Sequence, residues 1–586
     1  MPRKSLLLIS VVCCVYAAFA AAAQSGATAA ARPGSEATTS TAAATPAEID
    51  KDLLEVTIPQ LEEFYASRKY TVTQVVDWYI ARIRKYNGIY RAVQTLDTSG
   101  ALATAAREDA EARGNRAQRG PMWGVPIVTK ANTSVEGLIT TDGWQGYKLP
   151  GHELVAPRDA TIVAKLKAAG AVIVGQTNMP DFAASDTNRS TAFGRTGNAY
   201  DVRFSPGGSS GGTVTAVTAN FVLLGNGTDT GNSIRMPAAT SAVIGVFPTR
   251  GLVSIAGIAP LDWLLDNTGP IARDVTDAAI ALGVMAGEDP LDPRTVGSAA
   301  KAQPGPYTQY LKKDALRGKR FGVPAFILQG SGIPFQGIQA AVPDNVAAEE
   351  QAAAGIPLQP ETREMFMKAI EGLRAAGATV VFDDSILPES FAQVVSRVAT
   401  TPYVREGTEK FLNTFGPKQY RSVEGYEKAV GSPLPRTITG SSGIADRKGE
   451  PPTVQVDLET DPNAEANYWA PRRRALEAYT ATLDRQHLDG YVYPATQMPP
   501  PDETMPQDGR LSEGPHSDTG WVNMIGVPAV VVVGGFYKGG LPFGLEISAR
   551  PWKDGDLLGY AYAYEQATQY RHPPVLVESG LLPDAP

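Results

Sequence analysis

The glycine-rich segment 225–237 holds a serine in a setting that favours nucleophilic chemistry. An apolar run over 220–224 precedes it and predicts a short buried strand. Pro237 is well placed as the first residue of a following helix. A tight turn from a strand into a helix aims several backbone N–H groups at one point, beside the positive helix end. Ser233 therefore lies where an oxyanion could be held, although the same residue types would also suit a plain tight loop.

Two further stretches carry residues that could activate such a serine. Residues 205–212 contain Ser209 and Ser210 among four glycines, and residues 124–130 form an apolar run that ends on Lys130. A lysine that follows a strand is usually a solvated strand end. If it is buried, its pKa falls, and the neutral amine could then act as a general base.

Lysine, serine and serine in this order, within these glycine frames, resemble the amidase signature family of serine hydrolases. Residues 158–182 and 523–545 also look like segments of that family, and the resemblance extends over roughly residues 50–575. It implies an α/β fold: a single large domain whose large mixed β-sheet is covered by helices on both faces. The alternation of a predicted helix over 159–169 with a predicted strand over 171–175 favours the same class.

The resemblance also implies roles for individual residues. Lys130 is the base, Ser209 follows a cis peptide bond and relays the proton, and Ser233 is the nucleophile of a covalent acyl-enzyme. The N–H groups expected to hold the oxyanion are those of Thr230, Gly231, Asn232 and Ser233. The residues expected to support the site are Ser210, Asp229 and Arg235. We interpret Asp229 and Arg235 as a structural ion pair that fixes the turn.

Two positions depart from the family pattern. The family usually follows the lysine with Asp-Asn, whereas Ala131 and Asn132 stand here, so a carboxylate is missing beside the base. Asn232 stands where the family usually has glycine. Asparagine tolerates left-handed backbone geometry better than most residues, so the oxyanion hole can survive. The asparagine side chain is expected to narrow the approach to the nucleophile and to influence substrate choice.

Residues 207–211 also match Gly-x-Ser-x-Gly, the nucleophile elbow of α/β-hydrolases. In that alternative Ser209 is the nucleophile and a histidine such as His516 is its base. The elbow needs a strand immediately before it, and Pro206 fits poorly at the end of a central strand. We therefore favour Ser233 as the nucleophile.

The N-terminus has the pattern of a signal peptide. A basic start leads into an apolar stretch over 6–23, which ends in an Ala-x-Ala-like cleavage pattern. We expect a signal peptide over 1–23, a low-complexity linker over 24–46 and an amidase domain over 47–586. The expected location is secreted or periplasmic, without stable membrane insertion after cleavage. An uncleaved membrane anchor is the alternative, although the apolar span is barely long enough to cross a bilayer.

Composition argues against several partners and cofactors. The formal net charge is −8 without a basic block, which argues against nucleic acid as a partner. Both cysteines, Cys13 and Cys14, fall in the predicted signal peptide, so the mature chain would have neither a disulfide nor a thiol nucleophile. None of the four histidines lies in a metal-ligand motif. We therefore predict no metal and no cofactor.

The sequence leaves three functions open. We favour a secreted or periplasmic amidase that hydrolyses a small-molecule amide. The second is a cytosolic amidotransferase subunit, which the family includes and which works in a complex on charged tRNA; the predicted signal peptide and the acidic charge argue against it. The third is a non-catalytic binding protein on the same fold, against which the intact lysine and serine set argues. The sequence identifies neither the amide nor the oligomeric state, and a homodimer is left open.

Overall fold

The sheet at the centre of the protein is seen in a computed structural model that describes residues 46–112, 119–329, 358–440, 453–504 and 514–574. The predicted signal peptide and all but the last residue of the predicted linker lie outside the described residues, so both stay predictions. The described residues group into one compact unit.

Eleven strands of the described chain form one mixed sheet. The strands in chain order are β1 (Val93–Leu96), β2 (Val125–Lys130), β3 (Ala171–Thr177), β4 (Arg189–Ser190), β5 (Gly194–Arg195), β6 (Leu224–Asp229), β7 (Ile244–Phe247), β8 (Asn267–Ala272), β9 (Arg320–Val323), β10 (Thr379–Phe382), β11 (Gly490–Pro494), β12 (Ala529–Phe536) and β13 (Pro542–Ala549). Their order across the sheet is β1-β3-β2-β6-β8-β7-β12-β13-β11-β9-β10, and β4 pairs with β5 in a separate ribbon. Strands β3, β2 and β6 run parallel, as do β11, β9 and β10, and the neighbours between these two groups are antiparallel.

Helices flank this sheet. The α-helices of the described ranges are α1 (Pro46–Leu53), α2 (Ile58–Ala66), α3 (Val72–Tyr90), α4 (Thr98–Glu111), α5 (Thr161–Ala168), α6 (Gly211–Thr218), α7 (Arg235–Thr240), α8 (Val275–Met285), α9 (Ala325–Gln329), α10 (Pro360–Ala375), α11 (Glu389–Val395), α12 (Val404–Phe415), α13 (Val423–Val430), α14 (Ala470–Arg485), α15 (Trp521–Ile525) and α16 (Asp554–Thr568). Every residue of β2, β3, β6, β7 and β8 is buried. Strands buried throughout have both faces covered, so the predicted fold class is confirmed.

Local sequence explains why individual helices and strands form where they do. Helix α3 begins after Thr71, whose side chain accepts from the backbone of Gln74 in a capping box, and it buries an apolar stripe. Helix α5 ends before Gly170, whose φ of +93° lets the chain turn directly into β3. The helix and the strand predicted over 159–169 and 171–175 are observed as α5 and β3. Strand β3 pairs with β2, the strand that ends at Lys130.

The boundaries predicted around the glycine-rich segment are wrong by a few residues. The strand is Leu224–Asp229 rather than 220–224, because these residues pair with β8 along their whole length. Helix α7 begins at Arg235, so Pro237 is its third residue rather than its first. The turn from β6 to α7 nevertheless contains Ser233, as predicted.

One strand of the sheet lies in a stretch that is rich in Pro and Gly, a composition typical of loops. Strand β9 lies within the stretch 290–360 and joins the sheet between β11 and β10. Its four residues are too short a run to give a periodic signal in the sequence.

Among the helices of the described residues, none has both the length and the apolar character needed to cross a membrane.

Candidate active site

Lys130 is the last residue of β2 and is fully buried. Its Nζ lies 2.6 Å from Ser209 Oγ, 2.8 Å from Thr228 Oγ1 and 3.3 Å from the Thr228 carbonyl oxygen. A neutral amine has two N–H groups and one lone pair, which matches two acceptors on Thr228 and one hydroxyl proton from Ser209. Strand β6 runs parallel beside β2 and thereby brings Thr228 to the lysine.

Burial lowers the pKa of Lys130 to about 7, although the carboxylates of Asp142, Asp229 and Asp266 act in the opposite direction. The sequence left open whether this lysine is a solvated strand end or a buried amine. The structure places it in the interior, so a large neutral fraction is expected near pH 7.

Ser209 lies in the loop that leads into α6 and is fully buried. The peptide bond between Gly208 and Ser209 is cis, as the family resemblance implied. A Cβ at Gly208 would lie 2.5 Å from the Ser185 carbonyl oxygen, so only glycine allows this close approach. On its other side the loop is bound by Thr240 in α7, whose hydroxyl donates to the Pro206 carbonyl at 2.6 Å. The position of Ser209 is therefore fixed from two directions.

Ser233 lies in the turn between β6 and α7 and is 5% exposed, whereas Ser209 is fully buried. The Ser210 N–H donates to the Ser233 carbonyl oxygen at 3.1 Å, and the Ser210 hydroxyl donates to the Thr228 carbonyl at 3.2 Å. These bonds hold the two serine loops together beside the lysine. Lys130, Ser209, Ser210 and Ser233, which are distant in sequence, therefore meet at one place.

The ion pair between Asp229 and Arg235 is present and is completely buried, with Arg235 Nε 3.1 Å from Asp229 Oδ2. Arg235 also pairs with Glu546 of β13 at 2.7 Å and donates to the Gly231 carbonyl oxygen at 2.8 Å. Burial alone would lower the pKa of Arg235, but Asp229 and Glu546 raise it above its ordinary value. Asp229 in addition accepts from the N–H of Ile234 at 2.9 Å. Through Asp229 and Glu546, Arg235 fixes the turn to strands β6 and β13 of the sheet.

We predict that Arg235→Met lowers the free energy of unfolding by about 3–5 kcal/mol, because it leaves buried carboxylates without their partner. Chemical denaturation of the purified variant measures this. The matched control is Arg203→Met, which removes an exposed arginine that pairs with Asp201 and should change stability little. Equal stability of the two variants would contradict the structural role of Arg235.

The predicted oxyanion donors are the N–H groups from Thr230 to Ser233. The next two N–H groups, of Ile234 and Arg235, donate to Asp229 Oδ2 and are not available to a ligand. The Thr230 hydroxyl donates to Asp266 Oδ1 at 2.6 Å, which anchors the start of the turn. The oxyanion role of these donors stays a prediction.

Asn232 is half-buried, and its Nδ2 donates to Asp186 Oδ1 at 3.3 Å. Asn232 is not among the described residues with positive φ, so the tolerance of asparagine for left-handed geometry is not needed here. Burial raises the pKa of Asp186, and His516 opposes that shift. The side chain of Asn232 is therefore held by a carboxylate that the sequence did not single out.

The strand that a nucleophile elbow requires before Ser209 is not seen in the described residues 201–206, where Phe204 forms only an isolated bridge with Asp502. The side chain beside Ser209 is Lys130, while His516 lies near Asp186. The geometry thus matches the lysine–serine arrangement rather than the elbow.

Sequence reasoning missed two buried aspartates near the lysine, Asp142 and Asp266. Burial raises the pKa of Asp266 to about 7 and raises that of Asp142 well above its usual range. Both aspartates lie in loops whose sequences show no motif, so only their proximity to Lys130 in the folded protein identifies them. Within the described ranges no three His, Cys, Asp or Glu side chains are grouped so that they could hold a metal ion.

Comparison with known proteins shows which family the chain belongs to. The sequence profile of the Amidase family matches residues 74–352. The chain is 30% identical over 528 residues to a glutamyl-tRNA(Gln) amidotransferase subunit of Symbiobacterium thermophilum, and the match covers 89% of this chain and 99% of that protein. The chain belongs to the amidase signature family. Another relative in this family, the same subunit from Alkaliphilus metalliredigens, is 31% identical, and the match covers 87% and 96% of the two chains.

A solved structure of the amidase signature family extends the likeness to the fold. The native peptide amidase of Stenotrophomonas maltophilia is 30% identical and has a TM-score of 0.69, and the match covers 89% of this chain and 98% of the peptide amidase. The match over nearly the whole of that chain confirms the fold of the mixed sheet. Membership of the family makes this protein an enzyme of the amidase type, which acts on amide C–N bonds.

Proposed function

We propose that this enzyme hydrolyses a carboxylic amide to an acid and an amine through an acyl-enzyme on Ser233. The single observation that carries the proposal is the fully buried pair of Lys130 and Ser209, with Nζ 2.6 Å from Oγ, beside the loop that bears Ser233. An amine with a pKa near 7 is suited to removing a proton at neutral pH.

In the proposed reaction, neutral Lys130 takes the hydroxyl proton of Ser209 while Ser209 takes that of Ser233. Ser233 Oγ bonds to the amide carbon, and the carbonyl oxygen becomes an oxyanion held by the N–H groups of the turn. The C–N bond then breaks as the proton returns through Ser209 to the leaving amine. Water repeats the cycle on the acyl-enzyme, releases the acid and restores all three side chains.

A screen of the purified protein against aryl, fatty, peptide and simple aliphatic amides tests this proposal. Peptide amides come first in the screen, because the peptide amidase from Stenotrophomonas maltophilia resembles this chain over nearly its whole length. We expect hydrolysis by the isolated chain. Absence of turnover with every amide class, together with absence of covalent labelling at Ser233, would count against an independent amidase.

The second candidate is a subunit of an amidotransferase that acts in a complex. The observation in its favour is the identity of 30% and 31% to two glutamyl-tRNA(Gln) amidotransferase subunits over almost their full length. These relatives support the second candidate more directly than they support an independent amidase. An isolated subunit should label at Ser233 yet turn over the simple amides poorly, and it should gain activity only with partner subunits.

We propose further that the protein is exported, because residues 1–23 have the pattern of a cleavable signal peptide. N-terminal sequencing of protein from the native host tests this. A mature chain that begins at Gln24 supports export, whereas a chain that retains residues 1–23 in the cytosol favours the amidotransferase subunit.

The side chain of Asn232 offers a specificity test. We predict that Asn232→Gly raises kcat/KM for bulky acyl groups relative to small ones by about 10-fold, because it removes a side chain from the proposed approach to Ser233. The ratio of two kcat/KM values, measured with a small and a bulky amide, corrects for changes in the amount of folded enzyme. An equal change for both substrates would contradict a role of Asn232 in substrate choice.

A further inference from the structure

Asp142 is a buried carboxylate that the reaction proposed above does not use. The residue is 1% exposed, and its Oδ1 has no hydrogen-bond partner among the described residues. An unpaired carboxylate in the interior costs free energy unless a positive charge lies near it. A cation close to Asp142 would therefore stabilise its charged form.

The backbone of Asp142 lies directly beside the residue that follows the catalytic lysine. The Asp142 N–H donates to the Ala131 carbonyl oxygen at 3.1 Å, and the Asp142 carbonyl oxygen accepts from the Phe182 N–H at 2.8 Å. Asp142 has a φ of +49°, a conformation that aspartate adopts more readily than most residues. Two backbone hydrogen bonds therefore fix Asp142 next to the end of β2.

Ala131 contributes no charge at this place. It is fully buried and belongs to an apolar cluster with Tyr147, Leu154 and Met179. The family pattern has an aspartate at this position, immediately after the lysine. Asp142 therefore places a carboxyl group on the residue whose N–H is hydrogen-bonded to Ala131, the position at which the family usually has aspartate.

Three carboxyl groups act on the pKa of Lys130 through space: those of Asp229 at the end of β6, Asp266 before β8, and Asp142. Asp229 is paired with Arg235. Asp266 accepts from the Thr230 hydroxyl and from the backbone N–H of Leu261. Asp142 differs from both because one of its oxygens is unpartnered, which leaves it free to respond to a charge on the lysine.

We propose that Asp142 is the counter-ion of Lys130 during turnover and supplies from the neighbouring loop the negative charge that position 131 lacks. The inference rests on the proposed function, because Asp142 is a positioning residue that acts through the lysine. When Lys130 accepts the proton of Ser209, the new ammonium is stabilised by the carboxylate. The proton later returns through Ser209 to the leaving amine, and no bond to Asp142 forms or breaks.

Lys130 and Asp142 each shift the pKa of the other. Burial lowers the pKa of Lys130, and Asp142 opposes this shift more than Asp229 or Asp266 does. Burial raises the pKa of Asp142; Lys130 opposes that rise, whereas Asp266 and Asp181 add to it. Asp142 acts on the pKa of Lys130 through space and not through a hydrogen bond, because the hydrogen-bond partners of Lys130 Nζ are Ser209 and Thr228.

The test is the pH dependence of fluorophosphonate labelling at Ser233, which needs no knowledge of the natural substrate. In Asp142→Asn the midpoint of the rise in labelling rate should move to lower pH by roughly one unit or more, because the ammonium loses its counter-charge. The plateau rate should also fall, since the amine becomes a weaker base. The control is Asp277→Asn, which removes another fully buried carboxylate, one that accepts from the Ile58 N–H and is not among the groups facing Lys130.

If the labelling rates of wild type and of folded Asp142→Asn rise with the same midpoint pH, the inference is overturned. If the wild type does not label at all, the proposed function is overturned instead. If Asp142→Asn does not fold, the double variant Asp142→Ala with Ala131→Asp decides. A wild-type midpoint in the double variant supports the assignment. A midpoint displaced to lower pH in that variant overturns it.

Discussion

Ser233→Ala is expected to lower amide turnover on the order of 10⁴-fold or more and to abolish covalent labelling. The physical reason is that the serine oxygen is the atom that bonds to the amide carbon in the proposed reaction. The fold should survive, because the change removes one oxygen from a turn held by Asp229 and Arg235. Turnover and labelling of the purified variant, with a circular dichroism spectrum, measure both effects.

Ser241→Ala is the matched control for this variant. Ser241 is a fully buried serine at the end of α7, and its hydroxyl has no hydrogen-bond partner among the described residues. The Ser241→Ala enzyme should retain wild-type turnover. A Ser233→Ala enzyme that keeps more than a few per cent of wild-type activity would remove Ser233 from the nucleophilic role.

The rate of the enzyme should depend strongly on pH through Lys130. Because burial lowers the pKa of Lys130 to about 7, kcat/KM should rise with pH to a plateau above neutrality. Lys130→Ala should lose orders of magnitude on that plateau. Lys130→Arg should not restore activity, because a guanidinium stays protonated and cannot accept the proton of Ser209.

The depressed pKa of Lys130 also has a consequence for stability. The unfolded chain, with an ordinary lysine pKa of 10.5, binds the proton more tightly than the folded chain does. The free energy of unfolding should therefore decrease as pH falls from about 10.5 towards 7, and the cost is complete below pH 7. Lys130→Met removes the amine, so near neutral pH it should be at least as stable as wild type.

Two results would contradict the lysine mechanism. One is near-normal turnover by Lys130→Arg. The other is a rate profile controlled by a group that titrates near pH 4, since a carboxylate would then be the base. The histidines offer a further check: His516→Ala should retain activity, because the side chain beside Ser209 is Lys130.

Motif order along the chain was enough to predict the fold class and the meeting of Lys130, Ser209 and Ser233. These residues follow strands or precede helices whose apolar patterns are clear, as in β2 and β3. The strand-to-helix turn was also predicted, although β6 begins four residues later than expected. The error arose because Gly225 and Gly227 are typical of a loop, whereas their backbones pair with β8.

The electrostatic surroundings of the lysine could not be predicted from the sequence. The absence of an aspartate at position 131 suggested a site without a carboxylate beside the base. Asp142 acts on the pKa of the lysine from a neighbouring loop, and Asp266 does so from a segment more than a hundred residues further along the chain. Short elements such as β9 were missed for a related reason, since they are defined by pairing with β10 and β11 rather than by their own pattern.

Locating the fluorophosphonate adduct by mass spectrometry shows whether Ser233 or Ser209 is the nucleophile. Trypsin leaves Ser209 and Ser233 on one peptide, because no lysine or arginine lies between Arg203 and Arg235. A second cleavage before Asp229 separates the two serines. We predict that the adduct is on the fragment that contains Ser233. An adduct on the fragment that contains Ser209 would contradict the account.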